Sequence, residues 1–307
     1  MKTIETGSRP ETCILCGSAA SSPVYGTPPR ALVRCSGCGL VRVAPMPDAG
    51  SRREVNLGTY STEEYRRRYF LDRKIYSSWF RKKLELIERF KPGRGRILDI
   101  GCSYGFFVEE ALGRGWDAFG CEINPVTGGY SRGRLGERVH VGGPETIPFG
   151  GQGFDAIVMW DVIEHQPDPL SFLEGVKKYL KPGGVICLQV PNFGSYISEL
   201  KKENWDWLTP GDHLYFFTPD TLGRLAGRAG LRQSHSETWE SLRYFIDSLL
   251  GYNERRGALA ELYRATVVRA VRLGLFFLFL PFQRRLHREG KGALILSVLS
   301  SPGGKND

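Results

Sequence analysis

The 307-residue chain has no apolar run long enough to cross a bilayer. Its longest, LGLFFLFLPF from Leu273 to Phe282, falls short of the roughly 20 residues a spanning helix needs. The N-terminal stretch MKTIETGSRPETC has no apolar core of the kind that marks a secretory signal, so a cytoplasmic location is expected. There is no internal repeat. Nowhere does G-x-G-x-x-G follow a strand, which disfavours a nicotinamide dehydrogenase. Acidic residues are the minority: 33 Asp and Glu face 42 Lys and Arg, a net charge of +9. That balance favours anionic partners such as nucleic acid, phosphorylated small molecules or an anionic membrane, without choosing among them.

Among the features present, the seven cysteines stand out. Cys13 and Cys16 form one C-x-x-C, and Cys35 and Cys38 form a second after eighteen intervening residues; Gly17 and Gly39 follow them. In a reducing compartment, paired knuckles at this spacing are expected to bring four thiolates round one tetrahedral Zn2+ rather than to form disulfides. All four positions are cysteine and none is left for water, so the expected zinc is structural.

The chain divides into three parts. Residues 1–50, rich in Cys, Gly, Pro and Ser, are expected to form a small loop-rich zinc ribbon. Residues 51–95 read as a helical linker or lid: STEEYRRRYFLDRKIYSSWFRKKLELIERFK supports one or two amphipathic helices, capped by Ser61 or Thr62 and ended by Pro92-Gly93. Over residues 96–307 strands and helices alternate, with a helical insertion at about 240–290. Alternation of this kind gives a parallel sheet wrapped by helices, with ligands at the strands' C-terminal ends.

In RILDIGCSYGFFVEEALG a strand ends near Asp99. Gly101 and Gly105, lacking Cβ atoms, let a ligand approach the backbone, and the following helix N-terminus attracts a carboxylate. Glu122 ends the next strand 21 positions after Gly101, where a carboxylate holds a ribose diol. In FDAIVMWDVIEHQPDP a buried strand ends at Trp160 and leads into Asp161, Glu164 and His165.

The series LDIGCSYG, CEIN, FDAIVMWDVIEH, LKPGG and VPN, together with CxxCG…CxxCGL and DHLYFFTPDTLGRLAGRAG, resembles class I S-adenosylmethionine-dependent methyltransferases of the ubiquinone type that carry an N-terminal zinc ribbon. The resemblance covers about residues 12–239. It implies a Rossmann-like, doubly wound α/β fold of seven strands, the last antiparallel. It also implies a cofactor site drawn from Asp99, Gly101, Cys102, Gly105, Glu122, Trp160 and Asp161. The methionine carboxylate is expected at the glycine turn, the ribose on Glu122, and the adenine between the residues after Glu122 and the segment before IPF. Two departures stand out. Gly143 replaces an Asp common in relatives, leaving Glu145 or backbone groups to meet the adenine, and GCSYG lacks the middle glycine many relatives have.

Methyl transfer to a hydroxyl needs a base, and histidine is the side chain most easily set near neutrality. Of five histidines, His165 and His213 are expected at the ligand edge of the sheet, with Asp161 the alternative. Trp205, Trp207, Tyr215, Phe216 and Phe217 either stack on a substrate ring or belong to the core. The expected acceptor is a small molecule: a hydroxyl of a sugar, lipid or natural-product intermediate first, a carbon of a nucleotide-linked sugar second. A zinc-ribbon RNA methyltransferase is the alternative enzyme, although DVIE stands where an NPPY-like signature of base-amino methylation would be. A non-catalytic partner-binding ribbon would need a broken cofactor site. Arginines flanking the apolar block at 264–288 suit peripheral membrane contact, although a helix packed on the sheet is the favoured expectation.

Overall fold

The computed structural model describes residues 12–26, 31–249 and 269–302. Three short strands open it: β1 (Ser21–Tyr25), β2 (Ala31–Cys35) and β3 (Val41–Ala44). The chain then turns helical earlier than its pattern suggests. Helix α1 (Ala49–Tyr60) precedes α2 (Glu63–Leu71) and α3 (Arg73–Phe90). Asp48 caps α1 through the Ser51 amide, and Thr62 caps α2 through the Tyr65 amide, each satisfying an otherwise orphan donor. Helix α1 has no buried residue, so no apolar stripe marks it in the sequence.

The body alternates β4 (Arg96–Ile100), α4 (Phe106–Gly113), β5 (Asp117–Glu122), α5 (Pro125–Leu135), β6 (Val139–Val141), β7 (Phe154–Trp160), α6 (Pro169–Lys177) and β8 (Leu180–Pro191). Then come α7 (Tyr196–Lys201), β9 (Tyr215–Phe216), α8 (Pro219–Arg228), β10 (Arg232–Trp239), α9 (Leu242–Leu249), α10 (Arg269–Arg288) and β11 (Leu294–Ser300). Seven strands form one sheet in the order β10-β11-β8-β7-β4-β5-β6. Strands β4, β5, β6, β7 and β8 pair in parallel, while β11 runs antiparallel to both β8 and β10. The expected seven-stranded sheet with an antiparallel last strand is present. Its central strands are near-continuous apolar runs because helices cover both faces: Ile97, Leu98, Ile157, Val158, Ile186 and Leu188 are almost wholly buried. The order of connection reverses between β4 and β7, and the crevice at their C-terminal ends is where such sheets bind ligands.

The N-terminal strands are not an isolated appendage. Strand β9, from the long loop of the body, joins their sheet through Val41 opposite Phe216 and Arg42 opposite Tyr215. The Cys13 and Cys38 sulfurs lie 3.4 Å apart, as do those of Cys16 and Cys35, and all four fall within 4.8 Å of one another.

Among the described residues no helix is long and apolar enough to cross a membrane. Of the basic-flanked segment 264–288, residues 264–268 lie outside the described residues. At the end of α10, Phe279 and Leu286 are buried, Phe279 packs on Phe245 of α9, and His287 accepts the Glu240 amide at the end of β10.

Strand β11 enters the sheet through Gly292, whose amide donates to Thr238 and whose carbonyl accepts from Asn192. A Cβ there would meet the backbone nitrogen of Trp239 at 2.8 Å, and backbone yields less readily than a side chain. Gly292→Ala is therefore expected to lower stability by about 1–3 kcal/mol, read as a lower urea midpoint at unchanged slope. An unchanged midpoint would show that the two strands separate freely at this point.

Candidate active site

The turn after β4 is built by backbone that few residues tolerate. Gly101, Ser103 and Gly105 have φ of 78°, 46° and 81°. A side chain at Gly101 would also strike Val162, its Cβ 2.6 Å from a methyl carbon. Cys102 is part of the turn, but its thiol packs inward against Gly120 and its amide donates to the Cys121 carbonyl. Glu122 holds the turn from the neighbouring strand. One of its oxygens accepts from the Ser103 amide at 2.8 Å and the other from the Asn124 amide at 2.7 Å. Burial nonetheless raises its pKa. Two hydrogen bonds leave lone pairs on both carboxylate oxygens, enough to receive a diol.

Asn124 carries the grip outward. Its side chain caps α5 and donates to Asn56 at 3.1 Å and Ser61 at 3.0 Å, so the α1–α2 corner lies over the end of β5. Beyond it Ile123 is 68% exposed, an apolar face available to a flat ring. Glu145 folds its carboxylate into the space that a side chain at Gly143 would fill.

At the other end of the turn two buried polar atoms lack a hydrogen-bond partner and a lysine is buried beside them. One oxygen of Asp99 and the indole nitrogen of Trp160 make no hydrogen bond. Lys83 of α3 is 6% exposed and lies 4.2 Å over the Trp160 ring. It makes no hydrogen bond or ion pair among the described residues. Burial brings Lys83 down to about 8, opposed by the charges of Asp161 and Asp99, and burial pushes Asp99 well up. Such orphaned groups are costly unless a ligand completes them. Lys83 is absent from the residues expected from sequence, yet it left a signal: it sits at an apolar-face position of α3, with Phe80, Leu84 and Ile87 at helical spacing beside it.

Just past Trp160, Asp161 adopts a left-handed φ of 56°, and its two oxygens accept from Gln189 at 3.1 and 2.9 Å. A short turn follows, and its Glu164 carbonyl accepts from the Leu214 amide at 2.9 Å, tying it to the loop that carries His213. The two histidines expected at this edge are brought together, their ring centroids 4.8 Å apart. Nδ1 of His165 donates to Asp212, 2.9 Å from its carbonyl and 3.1 Å from a side-chain oxygen. Tyr60 of α1 donates to the other Asp212 oxygen at 2.6 Å. Burial pulls His165 down, but Asp212 and Glu164 outweigh it and lift the imidazole to about 9. Burial and the neighbouring His165 charge take His213 down to about 4; its Nδ1 is held by the Trp207 carbonyl at 2.8 Å. Burial pushes Glu164 up to about 8. Asp212 opens the DHLYFF stretch quoted above, but neither it nor Tyr60 is among the residues expected at the site, and only the fold brings them to His165. Of the loop aromatics, Trp205, Tyr215, Phe216 and Phe217 are buried core, whereas Trp207 lines a cavity beside Asp161.

Known proteins share this architecture. A family described as a methyltransferase domain matches residues 67–235, more than half the chain. The ubiquinone biosynthesis O-methyltransferase of Cereibacter sphaeroides (strain ATCC 17025 / ATH 2.4.3) is 31% identical over 147 residues, covering 44% of this chain and 60% of that protein. The protein of the same name from Dinoroseobacter shibae is 32% identical over 154 residues, covering 46% and 61%. The match thus spans about 60% of these relatives' length. Among solved structures, the Haemonchus contortus phosphoethanolamine N-methyltransferase 2 complex with S-adenosyl-L-methionine superposes with a TM-score of 0.53 at 18% identity, over 85% of this chain and 63% of that one. A SAM-dependent methyltransferase from Archaeoglobus fulgidus gives 0.50 at 18% identity, over 74% and 93%. With the sheet order, the glycine turn and the family match in agreement, the chain belongs to the class I S-adenosylmethionine-dependent methyltransferases.

Proposed function

We propose that the protein transfers a methyl group from S-adenosylmethionine to a hydroxyl of a small molecule, with His165 as the base. The observation that carries this reading is the pair of buried groups at the glycine turn that make no hydrogen bond, the Lys83 amine and one Asp99 carboxyl oxygen. Lys83 suits the carboxylate and Asp99 the ammonium of an α-amino acid, and Glu122 suits a ribose diol. Together they match the two ends of this cofactor. When bound, S-adenosylmethionine supplies a methyl whose bond to sulfur breaks, the electron pair leaving with sulfur, as the bond to the acceptor oxygen forms. The protein's own part is to position the reactants and take the hydroxyl proton. Asp212 fixes the proton of neutral His165 on Nδ1, so Nε2 is the atom that receives it. Tyr60 holds Asp212, so α1 and α2 form a lid that both covers the cofactor and steadies the base.

Lys83→Met and Glu122→Gln are each expected to weaken S-adenosylmethionine binding by about 1.5–3 kcal/mol, the scale of hydrogen bonds to charged groups. Calorimetry on the folded variants checks it, and unchanged affinity in both would overturn the assignment.

The base is tested by titration. NMR of the histidine side chains is expected to place His165 near 9. Asp212→Asn removes the anion that stabilises the imidazolium and is expected to return it toward about 6.5. The acidic limb of kcat/KM, which reports the free enzyme, moves the same way. His165→Gln is expected to lower turnover about 10²-fold or more with cofactor binding retained. A titration that ignores Asp212→Asn, or full turnover in His165→Gln, would rule out this base.

The four clustered cysteines support a structural zinc. A tetrahedral ion with Zn–S bonds of about 2.3 Å needs only a small opening of the observed sulfur pairs. Elemental analysis is expected to find about one zinc per chain, lost in Cys16→Ser/Cys35→Ser, with a lower melting temperature because binding free energy is folding free energy. Metal-free wild-type protein that melts like the variant would contradict it.

A further inference from the structure

We propose that the cavity beside Asp161 is the acceptor site and that it takes a neutral, hydroxyl-bearing ring, a carbohydrate. This rests on the methyl-transfer reading above and names the acceptor it left open.

The cavity has a volume of about 480 Å³, within the range of small-molecule sites. It starts at Asp161 and Gln189 on the ends of β7 and β8 and runs outward under α2 and α3. Gly101, Gly105 and Glu122 do not line it, so it adjoins the cofactor turn without coinciding with it.

Its walls are aromatic faces. Tyr69 stacks on Tyr76 at 4.5 Å, Trp79 meets Trp239 edge to face at 5.9 Å, and Trp207 leans on Tyr244 at 5.8 Å. Trp207 also stacks on His213 at 6.1 Å, so the cavity abuts the histidine pair. Flat rings of this kind cover the C–H faces of a saturated ring.

The polar groups choose among ring types. Arg68, on the exposed face of α2, is the only cationic side chain lining the cavity among the described residues, against five acidic ones. An anionic ring finds no counter-charge at depth. Nor do the acids form an open clamp for an ammonium. Asp206 is paired with Lys201 at 2.9 Å and accepts from Ser248, and Asp161 is held by Gln189. Glu240 is fully buried; one oxygen accepts from the Ser241 amide at 3.1 Å and the other has no partner. Burial pushes Glu240 up to about 8, so near neutrality it is an uncharged acid that donates as well as accepts. The indole nitrogen of Trp207 is likewise unpartnered. Uncharged donors and acceptors between aromatic faces suit hydroxyl groups, and a phenol or purely apolar ring would leave them unsatisfied.

The test is saturation-transfer NMR on the full-length protein with S-adenosylhomocysteine present. The probes are methyl glycosides of neutral hexoses, catechol and benzylamine. The glycosides are expected to bind, Trp239→Ala to abolish their signal, Trp239→Phe to restore it, Glu240→Gln, which keeps an uncharged donor and acceptor, to retain binding, and Glu240→Leu to weaken it about tenfold. Circular dichroism shows that the variants are folded, and calorimetry shows that their S-adenosylhomocysteine affinity is unchanged. Silent glycosides, glycoside signals indifferent to Trp239→Ala, or displacement of the glycosides by catechol or benzylamine would overturn the proposal. Failure of S-adenosylhomocysteine to bind the wild type would instead overturn the methyl-transfer reading.

Discussion

Two backbone amides donate to one buried carboxylate, and much of the site hangs on that grip. Glu122 holds Ser103 on one side and Asn124 on the other. The first bond stabilises a turn in which a non-glycine residue has a left-handed φ, a conformation that persists only where its surroundings over-determine it. The second orients Asn124, which in turn fastens the α1–α2 corner through Asn56 and Ser61. Turn, strand end and α1–α2 corner are thus one hydrogen-bonded unit. Space behind the carboxylate is reserved by Gly128, where a Cβ would come within 3.2 Å of the Glu122 side chain.

A second constraint acts from the far side of the sheet's ligand edge. Strand β9 belongs to the N-terminal sheet, and the residues just before it are Asp212, His213 and Leu214. Pairing of Val41 with Phe216, and of the Val43 amide with the Leu214 carbonyl at 2.9 Å, fixes that loop against the ribbon. The ribbon therefore braces the segment that orients His165. This gives a physical reason for a cysteine-rich module beside a methyltransferase fold: it sets the position of the proposed base, far from its own cysteines in sequence.

Much of this was legible in the sequence because it is periodic or local. Alternating apolar strands and helices, the Thr62 helix cap and the paired C-x-x-C all depend on near neighbours, and they appear where expected. The glycine turn, Glu122, Trp160 and the two histidines were placed by motif, and the fold gathers them along one edge. What escaped was long-range. Helix α1 lies almost wholly in the stretch read as helical, but without a buried stripe its own bounds are not marked. Asp212 and Tyr60 reach His165 from 47 and 105 positions away, and no spacing rule connects them. Lys83 lies between these cases: a lysine on the apolar face of an amphipathic helix is a visible anomaly, but only burial beside Asp99 and Trp160 gives it a meaning.

The central claim is that Lys83 and Asp99, buried at the glycine turn without a hydrogen bond between them, receive the amino-acid end of the cofactor. A crystal structure of the protein with S-adenosylhomocysteine tests it most directly. The account predicts the ligand carboxylate within hydrogen-bonding distance of Lys83, its ammonium on Asp99 and its ribose hydroxyls on Glu122. A ligand bound elsewhere, or bound at the turn with Lys83 paired instead to Asp99 or Asp161, would contradict it.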